Sequence, residues 1–136
     1  MIRVVAALIE YAGKQLVCQR KRGTSFAMMW EFPGGKVKTG ETLEQALARE
    51  LEEELGTRAT IGSEVYRTRH RYAELGEPIE LIFFKAHLDP NNVQNLVFEQ
   101  IRWVPASDLP SMNFLPADRE LIEKLASGEL LSRDRT

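Results

Sequence analysis

The stretch "EFPGGKVKTGETLEQALARELEEELG", residues 31–56, decides how the rest of the chain is read. Thr42, with Gln45 three residues later, forms a capping-box pattern that starts a helix. Leu43, Leu47, Leu51 and Leu55 recur every four residues and give that helix a buried stripe. Gly56 is placed to end it. Four of the nine residues from Ala48 to Gly56 are glutamate. The carbonyl end of a helix carries partial negative charge and favours cations, so these carboxylates stand at the wrong end. At about 100° per residue, Glu50, Glu53 and Glu54 share one face beside the leucines, while Glu52 points away. Partial burial there strengthens their mutual repulsion. One reading is a solvated acidic surface. The other is a site for a hard divalent cation, since Mg²⁺ takes oxygen ligands from carboxylates, water and phosphate. Charge left without local compensation tends to mark function. Just ahead, the Pro33–Gly35 turn can bring backbone carbonyls beside the helix. Arg49 can hold Glu50 or Glu53 by charge-assisted hydrogen bonds.

Upstream, residues 2–10 are rich in Val, Ile and Leu, "YAGK" is a turn and "QLVCQR" a return strand, which predicts a hairpin. "KRGTSFAM" is a polar loop, and "WEFPGGKV" a short strand broken at Pro33, Gly34 and Gly35. Downstream, "ATIGSEVYRTRHRY" and "IELIFFKAHL" alternate as strands joined through "AELGEP". "QIRWVP" is another short strand, and "PASDLPSMNFLPA" a loop holding a single helical turn. "DRELIEKLAS" is a second amphipathic helix, with Gly128 near its end. This order predicts an α/β (α+β) fold, a mixed sheet flanked by helices.

The length of 136 residues suits a single domain over 1–136 with its own core. Eighteen Lys and Arg against twenty Asp and Glu leave a net charge of -2, which argues against a long footprint on duplex DNA. Cys18 is the only cysteine, so no internal disulfide forms, as suits a reducing cytoplasm. "MIRVVAALIE" is too short to span a bilayer and lacks a small-residue cleavage site. The expectation is a cytoplasmic protein with no membrane partner.

Residues 35–57 resemble the signature of the Nudix hydrolase superfamily. That signature is Gly, five residues, Glu, seven residues, Arg-Glu, an aliphatic, any residue, Glu-Glu, any residue, Gly and a final aliphatic. Gly35, Glu41, Arg49, Glu50, Leu51, Glu53, Glu54 and Gly56 fall on register, and Thr57 departs at the last position. The resemblance implies a mixed β-sheet sandwiched between helices, with the signature as a loop-helix-loop. It implies Mg²⁺- or Mn²⁺-dependent attack of water on a diphosphate linked to another moiety. Carried over by position, Glu50, Glu53 and Glu54 are the carboxylate metal ligands, and the Gly34 or Gly35 carbonyl the backbone ligand. Arg49 orients the glutamates and Glu41 supports the loop. Phosphoryl substitution needs charge neutralised and a water aimed in line, which clustered metals supply. Glu53 is the preferred acceptor for the proton of that water.

Within the superfamily the chain looks most like the MutT-like branch, which hydrolyses nucleoside triphosphates to monophosphate and pyrophosphate. "WEFPGGK", with Lys36 as a substrate-binding candidate, is one likeness. Arg20 sits where that branch has a nucleotide- or phosphate-contacting arginine. "FLPADRELIEKL" resembles a segment whose Asn or Asp reads the base, which makes Asp118 the base reader. An N-cap for the last helix is the other reading of Asp118, and both can coexist. Many relatives carry a Glu six residues before the Trp of the "RWV" strand; Val97 stands there, and Glu99 is the nearby substitute as catalytic base or ligand. Phe32 and Phe83 are candidates to stack on a base, with core packing as their alternative; Phe83 and Phe84, adjacent on a strand, face opposite sides. Arg67, Arg69 and Arg71 share a strand face opposite Tyr66, His70 and Tyr72. That face is solvated, or guides polyphosphate or an RNA 5′ end. Trp30, Trp103 and Cys18 read as packing residues.

The leading expectation is a Mg²⁺-dependent pyrophosphohydrolase of (d)NTPs, oxidised or modified ones included. The alternatives are the same chemistry on RNA 5′-triphosphates, a non-catalytic nucleotide-binding regulator and a sugar-nucleotide hydrolase. A homodimer through exposed strands is open.

Overall fold

In the computed structural model, which describes residues 1–129, the opening apolar run forms β1 (Ile2–Tyr11) and β2 (Lys14–Gln19). The short strands β3 (Trp30–Glu31) and β4 (Gly34–Lys36) follow, then α1 (Leu43–Leu55), β5 (Thr60–Arg71) and β6 (Pro78–His87). β7 (Gln100–Pro105) and α2 (Arg119–Ala126) complete the order. Residues 130–136, the tail of the expected domain, lie outside the described residues.

The strands run β3-β2-β1-β6-β5, with β4 also on β1 and β7 also on β2. β1 and β2 pair beside their turn, Glu10 opposite Gln15 and Tyr11 opposite Lys14, then diverge. β2 goes on with β7 and β3, while β1 goes on with β4 and, in parallel, β6. Val5 to Ile9 are all buried because β1 is covered on both faces, which makes such strands read as unbroken apolar runs. Val5, Ala7 and Ile9 meet Leu47, Leu51 and Leu55 of α1. Ala6 and Leu8 join the cluster of Leu121, Ile122 and Leu125 of α2. The sheet lies between helices, as the fold class requires.

Three local readings change. The expected single strand at "WEFPGGKV" is two strands on different partners: β3 on β2, β4 on β1. A Cβ at Gly34 would overlap the Val5 carbonyl, so glycine is what lets β4 lie against β1. Phe83 and Phe84 do face opposite sides, but both sides are core. The loop before α2 holds two 3₁₀ turns, Ala106–Ser111 and Pro116–Asp118, rather than one. Prolines 110 and 116 favour such short pieces over a continuous helix.

α1 carries the predicted capping box: Thr42 Oγ1 accepts from the Gln45 N–H at 3.1 Å, and Gln45 Oε1 from the Thr42 N–H at 2.9 Å. Gly56 ends it in the left-handed region, φ 67. The last turn of α1 contains no basic residue. Neutral donors serve its carbonyls instead: Gln94 N–H on Leu55 at 2.9 Å and Leu96 N–H on Glu54 at 3.1 Å. Among the described residues no helix is long and apolar enough to cross a membrane.

Candidate active site

In antiparallel pairing the N–H and C=O of one residue face the same side. The Pro33 carbonyl and the Val37 N–H bond β1, through Ala7 and Arg3. The backbone groups of Gly34 and Lys36 therefore turn away from β1 and toward α1. Gly34 N–H donates to Glu54 Oε1 at 3.1 Å, which leaves the Gly34 carbonyl on the same side. The Lys36 carbonyl accepts from Arg49 Nη2 at 3.1 Å. A Cβ at Gly35 would collide with the Glu50 carboxylate, so that glycine is what admits Glu50 beside β4.

Arg49 organises the acidic face. Its Nε and Nη2 form a fork on Glu41 at 2.6 and 2.9 Å, and Nη1 reaches Glu50 at 2.9 Å and Glu53 at 3.3 Å. The Arg49 hydrogen bonds, and then the Lys38 N–H, hold the Glu41 carboxyl down at about 2. Glu54 behaves oppositely. Burial, then the charges of Glu50 and Glu31, push its carboxyl up to about 9 against the opposing Gly34 hydrogen bond. Among the described residues no three carboxylates meet on one point as they stand. Glu50 and Glu53 lean on Arg49, and Glu54 on Gly34. The donor set is nonetheless all hard oxygen, and Glu54 is crowded by like charges, which suits a divalent cation.

Beside β4 lies a cavity of about 310 Å³. Glu54, Gly34, Gly35 and Lys36 line it from the acidic segment; Arg20, Phe32, Phe83 and Asp118 line it from elsewhere. The structure thus brings these sequence-derived candidates to one wall. Arg20 is already engaged, with Nη1 on both oxygens of Glu31 at 3.2 and 3.1 Å and Nε on the Ser25 carbonyl at 2.7 Å. Phe32 and Phe83 are 4% and 0% exposed and meet edge to face at 5.9 Å, so they form a floor. Asp118 is 3% exposed, and burial followed by the Glu31 charge pushes its carboxyl well up.

Asp118 stands at the N-cap position of α2 but does not cap it with its side chain. Its backbone is already helical, φ -92 and ψ -9, and its side chain makes no cap hydrogen bond. The Pro116–Asp118 turn runs straight into α2, whereas a capping residue is typically extended. Glu99 is exposed, its N–H bonds the Gln19 carbonyl at 2.9 Å, and it does not line the cavity.

Sequence reasoning missed Glu31, whose carboxyl lines the cavity and is raised by burial. A two-residue strand shows no alternation that would have marked it. It also missed Phe26, in a loop read as polar. Phe26 adopts φ 57, and its ring lies 4.8 Å from that of Tyr72, whose hydroxyl accepts from the Ala117 N–H at 2.9 Å. Of the arginine row Arg67, Arg69 and Arg71, the first two lie 3.7 and 3.6 Å from Glu80, which Arg3 of β1 also reaches at 3.4 Å, and Arg67 is held by Glu64 at 2.8 Å.

Comparison with known proteins gives the family. The NUDIX domain family model matches residues 1–125. The CTP pyrophosphohydrolase of Escherichia coli (strain K12) is 38% identical over 123 residues, 90% of each chain. The putative 8-oxo-dGTP diphosphatase 2 of Mycobacterium tuberculosis (strain ATCC 25618 / H37Rv) is also 38% identical, over 90% of this chain and 86% of that protein. The crystal structure of a MutT NUDIX hydrolase from Burkholderia pseudomallei matches with a TM-score of 0.78 at 30% identity, covering 90% of this chain and 95% of that one. The chain belongs to the Nudix hydrolase family, on its MutT-like side.

Proposed function

We propose that the chain is a divalent-metal-dependent pyrophosphohydrolase that cleaves nucleoside triphosphates to the monophosphate and pyrophosphate. The observation that carries this reading is the shared wall: Gly34 to Lys36 and Glu54 border both the acidic helix face and a nucleoside-sized cavity. Glu50, Glu53, Glu54 and the Gly34 or Gly35 carbonyl would hold Mg²⁺ or Mn²⁺. When bound, the metal supplies charge neutralisation on the phosphate oxygens and a more acidic water. Glu53, with a side chain 53% exposed, takes the proton of the attacking water, and Glu99 is the reserve candidate for that step. Arg49 keeps Glu50 and Glu53 aimed, and Glu41 keeps Arg49 in place. Lys36 meets phosphate charge at the cavity wall. Arg20 reaches the nucleotide with the donors that Glu31 and Ser25 leave it.

Asp118 and Glu31 face the base. Burial pushes the Asp118 carboxyl well up, and in its neutral form it both donates and accepts, so it matches a base edge carrying an amino donor beside a ring acceptor, while Glu31 stays paired with Arg20. Cytosine has that edge, and the names of the relatives add an oxidised guanine as the second candidate. A single, buried thiol at Cys18 is consistent with a reducing cytoplasmic setting. The test is turnover of CTP, dCTP, dGTP and 8-oxo-dGTP with Mg²⁺, with both products resolved. Pyrophosphate release is expected; orthophosphate release, or no turnover despite nucleotide binding, contradicts the reading.

One observation favours a second substrate. Arg3, Arg67 and Arg69 gather around Glu80 while Glu64 also holds Arg67, so three guanidiniums meet two carboxylates, and the positive charge left on this face suits an RNA 5′ end. Competition between NTP and 5′-triphosphate RNA separates the two, and turnover of RNA alone would replace the first reading.

A further inference from the structure

The 20–29 loop is a strained part of the cavity wall. Phe26 and Met28 sit in the left-handed region, φ 57 and 65, which L side chains enter at a cost. Such conformations persist where the surroundings over-determine them. The loop delivers Arg20, Ser25 and Phe26 to the cavity. Its neck is closed by Arg20 N–H on the Met29 carbonyl at 2.9 Å and Met28 N–H on the Arg20 carbonyl at 2.8 Å. Inside it, Arg20 Nε holds Ser25, a tie that a nucleotide competing for Arg20 would weaken.

A further tie comes from behind. Gln19, 9% exposed, donates from Nε2 to the Met28 carbonyl at 3.0 Å. Its Oε1 accepts from Gln100 Nε2 at 2.8 Å, and Gln100 Oε1 accepts from Arg102 Nε at 3.0 Å. The Arg102 guanidinium in turn lies 5.5 Å from the Trp30 ring centre. This is an oriented chain of amides, each donor pointing toward the loop. Neither Gln19 nor Gln100 lines the cavity, so bound nucleotide leaves the chain intact. On its far side the loop presses Phe26 on Tyr72, and Tyr72 holds the Ala117 N–H next to Asp118.

We propose that Gln19 and Gln100 are positioning residues for nucleoside selection: their amides lock the 20–29 loop in its strained shape, and so fix the Phe26–Tyr72 wall beside Asp118. The inference rests on the nucleotide reading of the cavity. Gln19 and Gln100 are also direct cross-strand partners, and a purely structural pair would cost stability with no selective effect on binding.

The experiment compares Gln19→Leu and Gln100→Glu with wild type in KM, kcat, melting temperature and native-state tryptic cutting after Lys21 and Arg22, which are exposed in the loop. Gln100→Glu keeps the acceptor for Arg102 but loses the donor to Gln19, so it should behave like Gln19→Leu. Expected is a KM about tenfold higher, as when the binding-competent loop falls to about a tenth of the population, with kcat within about twofold. Cutting should quicken, because it follows the open population, and saturating nucleotide should slow it. Unchanged KM and cutting, or an effect confined to melting temperature or kcat, overturns the proposal. If Gln19→Leu does not fold, Gln100→Glu decides by the same criteria. A wild type without turnover contradicts the pyrophosphohydrolase reading, while the tryptic readout still tests the lock.

Discussion

Glu53 and Asp118 are both carboxylates, and their surroundings are opposite. Glu53 stands out in solvent beside Arg49, with its side chain 53% exposed. Replacing it by Gln should lower kcat by about a hundred- to ten-thousand-fold, more if a metal ligand is lost as well, with the melting temperature preserved. A near-normal rate would remove Glu53 from the chemistry. Asp118 is enclosed, and its raised carboxyl makes stability depend on pH. The folded chain keeps a proton that the unfolded chain releases above about 3.9, so stability falls as pH rises from there through the raised folded value. Glu31 and Glu54 share this sign. Asp118→Asn should therefore melt higher than wild type at pH 8 without metal, and the gap should close toward pH 4. Parallel melting curves across that range would contradict the burial account.

At the scale of elements, α1 is the part that has to be held most firmly, since it carries the acidic face. Its start rests on Thr42, and Thr42→Ala should cost about 1 kcal/mol, read as a shift in the denaturation midpoint. No change would mean that the loop on β4, rather than the cap, fixes the helix. This helix was legible from sequence because its determinants are local: cap, leucine spacing and terminal glycine lie within one run of chain. The same holds for β1, β2, β5 and β6, whose apolar runs and alternation announce them. Pairings between distant segments were not legible. Nothing within "WEFPGGKV" says that Trp30 and Glu31 pair with β2 while Gly34 to Lys36 cross to β1. The bridge from Trp30 to Phe114, which pins the segment before Asp118, joins residues far apart in sequence. Phe26 in a left-handed turn leaves no mark in composition. The acidic motif could be read, while the cavity wall formed by Glu31, Phe26 and Tyr72 emerged from the fold.

Across the whole molecule, the sheet separates two tasks. The α1 face gathers charge, the cavity opens next to it, and β4 borders both because two adjacent glycines admit Val5 on one side and Glu50 on the other. Cation binding should then stabilise the entire fold. Ligation also requires Glu54 to release the proton it holds up to about 9. The melting temperature should rise with Mg²⁺, and rise more at pH 8.5 than at pH 6.5. A pH-independent increment would show that Glu54 is not among the ligands.

The most direct measurement is anomalous diffraction from a crystal holding Mn²⁺ and a non-hydrolysable nucleoside triphosphate. Metal peaks should lie among Glu50, Glu53, Glu54 and the Gly34–Gly35 backbone, in contact with the phosphates, with the base beside Asp118. Phosphates seated elsewhere, and those glutamates turned to bulk water with no metal between them, would contradict the account at its centre.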